Sequence, residues 1–146
     1  MEALALHHSW ALSEQSRRFE LGAILNSAAI DAAGPQTVGE IGVHHAGCWE
    51  CDLADNSLIW SGGVFDLFGL SRATSMTRDA AVKMYTEDSR TKMEVLRSYA
   101  IRHRRGFTLD IEIRPANGGE RWVRLIAAPV LFGDKVIKLH GLKLAL

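Results

Sequence analysis

The strongest constraint on the fold is a change of hydrophobic period near residue 106. Upstream, Met93, Leu96 and Ala100 recur at the three-and-four spacing of a helix face. Downstream, Phe107, Leu109, Ile111 and Ile113 alternate strictly with Thr108, Asp110, Glu112 and Arg114, which is the two-residue period of a strand. The helix is predicted over residues 87–105. Thr86 is its N-cap, Glu87 and Asp88 lie at its positive end, and Arg102 to Arg105 lie at its negative end before a Gly106 cap. Pro115 to Gly119, with its Asn-Gly pair, turns the chain into a second strand whose Val123, Leu125 and Ala127 face the core. Gly133-Asp134 turns it again into a last strand over residues 136–144.

A second sheet segment precedes the helix. Cys48 to Leu53 and Ser57 to Trp60 form a hairpin around Ala54-Asp55-Asn56. Gly62-Gly63 ends it, Val64, Leu67 and Phe68 share one side of a short helix, and residues 79–84 form another brief helical turn. Two strands, helices and three further strands give an α+β fold: a five-stranded antiparallel sheet with helices on one face. Residues 1–33 are predicted helical, with Ser13 as a cap and Leu21, Ile24, Leu25, Ala28 and Ala32 on one stripe, ended by Gly34-Pro35. The resulting division is a helical extension over 1–35 for capping or dimerisation, a linker over 36–46, and the main domain over 47–146.

The length of 146 residues favours one core, and 47% apolar residues suffice to build it. Seventeen basic and seventeen acidic residues balance, so no global field recruits nucleic acid or an anionic membrane. No apolar run is long enough for insertion in a membrane, no basic segment precedes an apolar one at the start, and two cysteines suit a reducing compartment. The expected location is cytoplasmic.

Several motifs follow one another in a set order: Gly47-Cys48-Trp49-Glu50-Cys51-Asp52-Leu53, Leu58-Ile59-Trp60-Ser61, and Val64-Phe65-Asp66-Leu67-Phe68-Gly69-Leu70. They continue with Glu87-Asp88-Ser89-Arg90, the strand from Phe107 to Arg114, Asn117-Gly118-Gly119-Glu120-Arg121-Trp122-Val123 and Leu139-His140-Gly141. This succession, about two thirds of the chain, resembles a PAS domain with its C-terminal PAC half. The resemblance implies a sensory and regulatory module of signal transduction acting by protein–protein interaction, with a two-component sensor histidine kinase as partner. It also raises the expectation of a homodimer through the N-terminal helix. The alternative is a small-molecule or haem sensor whose ligand sits between helices and sheet. Modules of this kind usually continue into a coiled-coil junction, whereas this sequence stops at Leu142-Lys143-Leu144-Ala145-Leu146. Read as complete it signals in trans; read as a fragment, its output lies elsewhere.

The expected ligand cavity is lined by Trp60, Phe65, Phe68, Met84, Met93 and Leu96, residue types that equally make ordinary core. His103 continues the stripe Met93, Leu96, Ala100, and some PAS proteins ligate haem iron from this helix; as a bland alternative it bonds the helix end. No cofactor is the first expectation, with haem or a non-covalent flavin as alternatives; no cysteine follows Cys51 to support flavin-adduct chemistry. Cys48 and Cys51 have C-x-x-C spacing, with His44 and His45 upstream, but residues three apart on a strand face opposite ways, which opposes shared metal ligation. No paired carboxylates, nucleophile elbow or phosphate loop is present, so no enzyme is expected. Trp122 and Ile126 lie on the sheet face away from Val123 and Leu125, and such a face needs a cover. Leu21, Ile24 and Leu25 are assigned to it, in cis or from a second subunit.

Overall fold

The computed structural model describes residues 8–21 and 46–146. Its elements are β1 (Ser9–Ala11), a 3-10 turn (Leu12–Glu14), α1 (Gln15–Leu21), β2 (Ala46–Asp52) and β3 (Leu58–Trp60). They continue with α2 (Gly62–Leu67), α3 (Arg78–Lys83), α4 (Glu87–His103), β4 (Arg105–Ile113), β5 (Arg121–Phe132) and β6 (Lys135–Ala145). One antiparallel sheet runs in the order β1-β4-β5-β6-β2-β3. The five expected strands are present, and a sixth, β1, is added at the β4 edge.

The inner face of the sheet carries the main core. Phe107, Leu109, Ile111 and Ile113 of β4 and Val123, Leu125 and Ala127 of β5 are buried against α2 and α4, as the alternation requires. Met93, Leu96 and Ala100 form the buried stripe of α4. Its ends refine the expectation. Thr86 is the N-cap by backbone but makes no side-chain capping bond. At the other end Arg104, at φ 55°, takes the left-handed cap position, and β4 begins at the next residue.

Gly106 therefore serves a purpose other than capping. It stands opposite Trp10 in the β1–β4 register, and any Cβ there would collide with the indole ring. Gly63, likewise, sits so close to the Ala46 carbonyl that a side chain would not fit, which lets α2 pack on β2.

The N-terminal region departs from an all-helical reading. Ser9–Ala11 is a strand, Ala11 rather than Ser13 occupies the N-cap position before the 3-10 turn, and α1 starts at Gln15. A β4 edge left open toward Phe107 recruits these residues, and their backbone bonds outweigh local helix propensity. Ile24, Leu25, Ala28, Ala32 and the Gly34-Pro35 stop, with the linker, lie outside the described residues apart from Ala46, which opens β2. Among the described residues no helix is long and apolar enough to cross a membrane.

Candidate functional site

Strand β6 organises the site because both of its faces are buried. Leu142 and Leu144 point outward, and Gly141, Lys143 and Ala145 point toward the helices. Lys143 is only 5% exposed, so a four-carbon amine occupies a core position in the middle of the sheet. Four aromatic rings surround its ammonium: Trp60 and Phe68 with centroids at 5.1 Å, Trp49 at 5.5 Å and Tyr85 at 5.8 Å. No hydrogen bond or ion pair to Lys143 occurs among the described residues. Burial pushes its pKa down to about 7, with a small opposing effect from Cys51. The ring faces, which favour a cation, act in the same opposing sense.

The amine borders a cavity of about 50 Å³ between the sheet and α3 and α4, with room for a few water-sized groups. Cys51, Arg78, Tyr85, Met93, Arg97 and Lys143 supply its chemistry, and Val82, Leu125 and Leu139 are among its apolar walls. No carboxylate lines it. Arg78 is paired with Glu94, whereas Arg97 donates to the Asn56 side-chain oxygen at 3.3 Å, bonds the Cys51 thiol and feels Glu94 only through space. Burial lowers the Arg97 pKa, raises the Cys51 thiol and raises the Tyr85 phenol. Trp60 Nε1, in the ring that stacks beside Lys143, is buried with no acceptor.

Of the six expected lining residues, only Met93 lines this cavity. Trp60 and Phe68 instead stack on each other, centroids 4.8 Å apart, with Phe65 edge-on to Trp60 at 5.2 Å, and they form the rear wall around the amine. Leu96 is buried in the main core, and Met84 is half-buried against it. The aromatic side chains fill the space that the sequence reading left open for a ligand. His103 does not face the sheet: it is exposed at the end of α4, its ring 4.3 Å from that of Tyr99. His103 is not among the residues that line the cavity. The cavity, at about 50 Å³, is smaller than the roughly 300–1,000 Å³ of pockets that bury drug-sized ligands.

The two cysteines do face opposite ways. Cys48 packs with the outer cluster and Cys51 lines the inner cavity. Among the described residues no three His, Cys, Asp or Glu side chains gather as a metal site; His44 and His45 lie outside them.

The outer face has its own core of Trp10, Ala46, Ile126, Ala128, Leu142 and Leu144, with Phe19 and Cys48 packed against it. Trp10 donates from Nε1 to Thr108 Oγ1 at 3.0 Å, and Arg105 Nε donates to Ser9 Oγ at 2.6 Å. His140 is edge-on to Phe19 at 5.3 Å, and the Gln15 amide nitrogen lies 3.4 Å from its Nε2. Burial lowers the His140 pKa. Ile126 is buried in this cluster together with Trp10, while Trp122 is half exposed. Of the expected covering residues, Leu21 ends α1, and Ile24 and Leu25 lie outside the described residues.

Lys143, Arg97 and Trp10 were not singled out from the sequence, and Cys51 only as half of a C-x-x-C pair. For Lys143 the only signal was its placement between Leu142 and Leu144, and alternation alone points a lysine so placed to solvent.

No family model matches the chain, and no curated protein matches it. Solved structures do. One of an RNA-binding Light-Oxygen-Voltage receptor is 13% identical with a TM-score of 0.62, covering 69% of this chain and 29% of that one. A sensory box histidine kinase/response regulator from Burkholderia thailandensis E264 is 14% identical with a TM-score of 0.62, covering 77% and 85%. The N-terminal domain of a diguanylate cyclase with PAS/PAC sensor from Marinobacter aquaeolei is 12% identical with a TM-score of 0.61, covering 67% and 92%. The chain spans less than a third of the first of these proteins. At these identities the likeness defines the fold: it is PAS-like.

Proposed function

We propose that this chain is a sensory and regulatory module of signal transduction, in which occupancy of the Lys143 cavity sets the state of the N-terminal segment. The buried, unpaired Lys143 amine carries the reading. A cationic side chain held in a core by ring faces alone, with no counter-ion, still costs several kcal/mol, and a ligand explains the position better than stability does. The path outward is short. Lys143 alternates on β6 with Leu142 and Leu144, which pack with Trp10 and Phe19 on the other face. A shift of β6 around an occupied cavity therefore bears directly on β1 and α1.

The output of this module is a protein contact, with a sensor histidine kinase or a similar signalling enzyme as the partner that the PAS-like neighbours suggest. A homodimer through the outer face, with Trp122 at its rim, is part of the same reading, as are a cytoplasmic location and the absence of catalysis. Denaturing extraction of protein purified from its native host, followed by mass spectrometry, tests it. A small molecule recovered from the native protein and missing from Lys143→Met is the expected result. Recovery of the same molecule from both proteins removes the cavity from the mechanism.

A further inference from the structure

We infer that the cavity is a site for a small organic carboxylate, of about two to four carbons, whose charge is met by Lys143 and Arg97. This rests on the sensory reading above and names its ligand class.

Three observations converge. Cys51 from β2, Tyr85 from the turn before α4, Arg97 from α4 and Arg78 from α3 line the same cavity as Lys143, whose ammonium is ringed by Trp49, Trp60, Phe68 and Tyr85. Cationic side chains are in excess, because Glu94 is already taken by Arg78 and no carboxylate lines the space. The Lys143 amine, which lines the cavity, has no hydrogen-bond acceptor among the described residues. A buried cation needs a counter-charge, and here the protein supplies none. The apolar walls from Val82, Leu125 and Leu139 suit a short alkyl chain, and the space of about 50 Å³ suits a small molecule.

Binding and protonation are then linked. Without an anion, Lys143 loses its proton near neutral pH; with a carboxylate beside it, the ammonium form is favoured. Binding at pH 8 must take up a proton, and apparent affinity must fall about tenfold per pH unit above the amine's own titration.

The test uses sodium propionate as probe, titrated calorimetrically at pH 8 in two buffers of different ionisation enthalpy, with propionamide as the neutral isostere. The expected result is saturable propionate binding with uptake approaching one proton and no binding of propionamide. Binding should be lost in Lys143→Met and weakened at least tenfold in Arg97→Gln. Equal binding of propionamide, or propionate binding unchanged in both variants, overturns the carboxylate assignment. Native mass spectrometry separates this failure from a wider one. A neutral or cationic molecule held by the wild-type protein and absent from Lys143→Met overturns the carboxylate assignment and leaves the sensory reading standing. An empty cavity that also takes no propionate overturns both.

Discussion

The Trp10 indole lies over Gly106 on the outer face of the sheet, its Nε1 bonded to Thr108 two residues further along β4. The N-terminal strand is thereby locked to the sheet by one ring and one missing side chain. Arg18 adds its guanidinium over the same ring at 5.8 Å.

That pairing gives the first expectation. Gly106→Val should expel Trp10, at a cost of roughly 1–3 kcal/mol as for other overpacked sites. Limited proteolysis should then cut the segment around Ser9–Leu21 well before the rest of the domain. Unchanged cleavage would show that the indole can be accommodated elsewhere.

Lys143→Met should raise stability. Replacing even a buried ion pair by apolar residues often gains about 1–4 kcal/mol, and Lys143, which has no counter-ion among the described residues, should gain in the same sense. The pH dependence has a definite sign. The folded pKa of about 7 lies below the ordinary 10.5, so between these values the unfolded chain binds more protons, and wild-type stability rises with pH. Urea denaturation from pH 7 to 10 should show that rise in the wild type and a flatter profile in Lys143→Met.

His140 is expected to govern the N-terminal contact at mild acidity. Its folded pKa is lowered by burial, so its contribution is present above the ordinary 6.5 and is lost as pH falls from there through the lower folded value. Protonation also removes the acceptor nitrogen that faces the Gln15 amide. Tryptophan fluorescence should report loosening of Trp10 between pH 7.5 and 5, and His140→Gln should abolish the transition.

Trp122→Ala should leave the fold intact, because the ring is half exposed on the outer face. In the proposed dimer the same change should weaken self-association severalfold in sedimentation equilibrium. Ile126→Asp is a different kind of variant: it puts a carboxylate beneath Trp10 and should unfold the outer cluster, at about 3 kcal/mol or more.

How much of this was legible follows from periodicity. The inner strand faces, the stripe Met93, Leu96, Ala100 and the turns at Asn56 and Gly133 were readable, because each rests on local spacing or local backbone preference. The site was not. An inward lysine on β6 is visible only once both faces of the strand are known to be covered, and the outer cover includes β1, nearly a hundred residues away from its β4 partner in sequence. The aromatic residues expected to line a ligand space instead pack around one amine, an arrangement set by three-dimensional juxtaposition of β2, β3, α2 and β6.

The most direct measurement is hydrogen–deuterium exchange across Ser9–Leu21, comparing protein as purified from its host with the same protein after unfolding, dialysis and refolding. If cavity occupancy sets the N-terminal segment, the β1 amides opposite Arg105–Phe107 should exchange severalfold more slowly in the first sample, and Lys143→Met should show no difference between the two. Identical exchange of this segment in both wild-type samples, with a ligand demonstrably present in one, would contradict coupling between the cavity and the N-terminal strand.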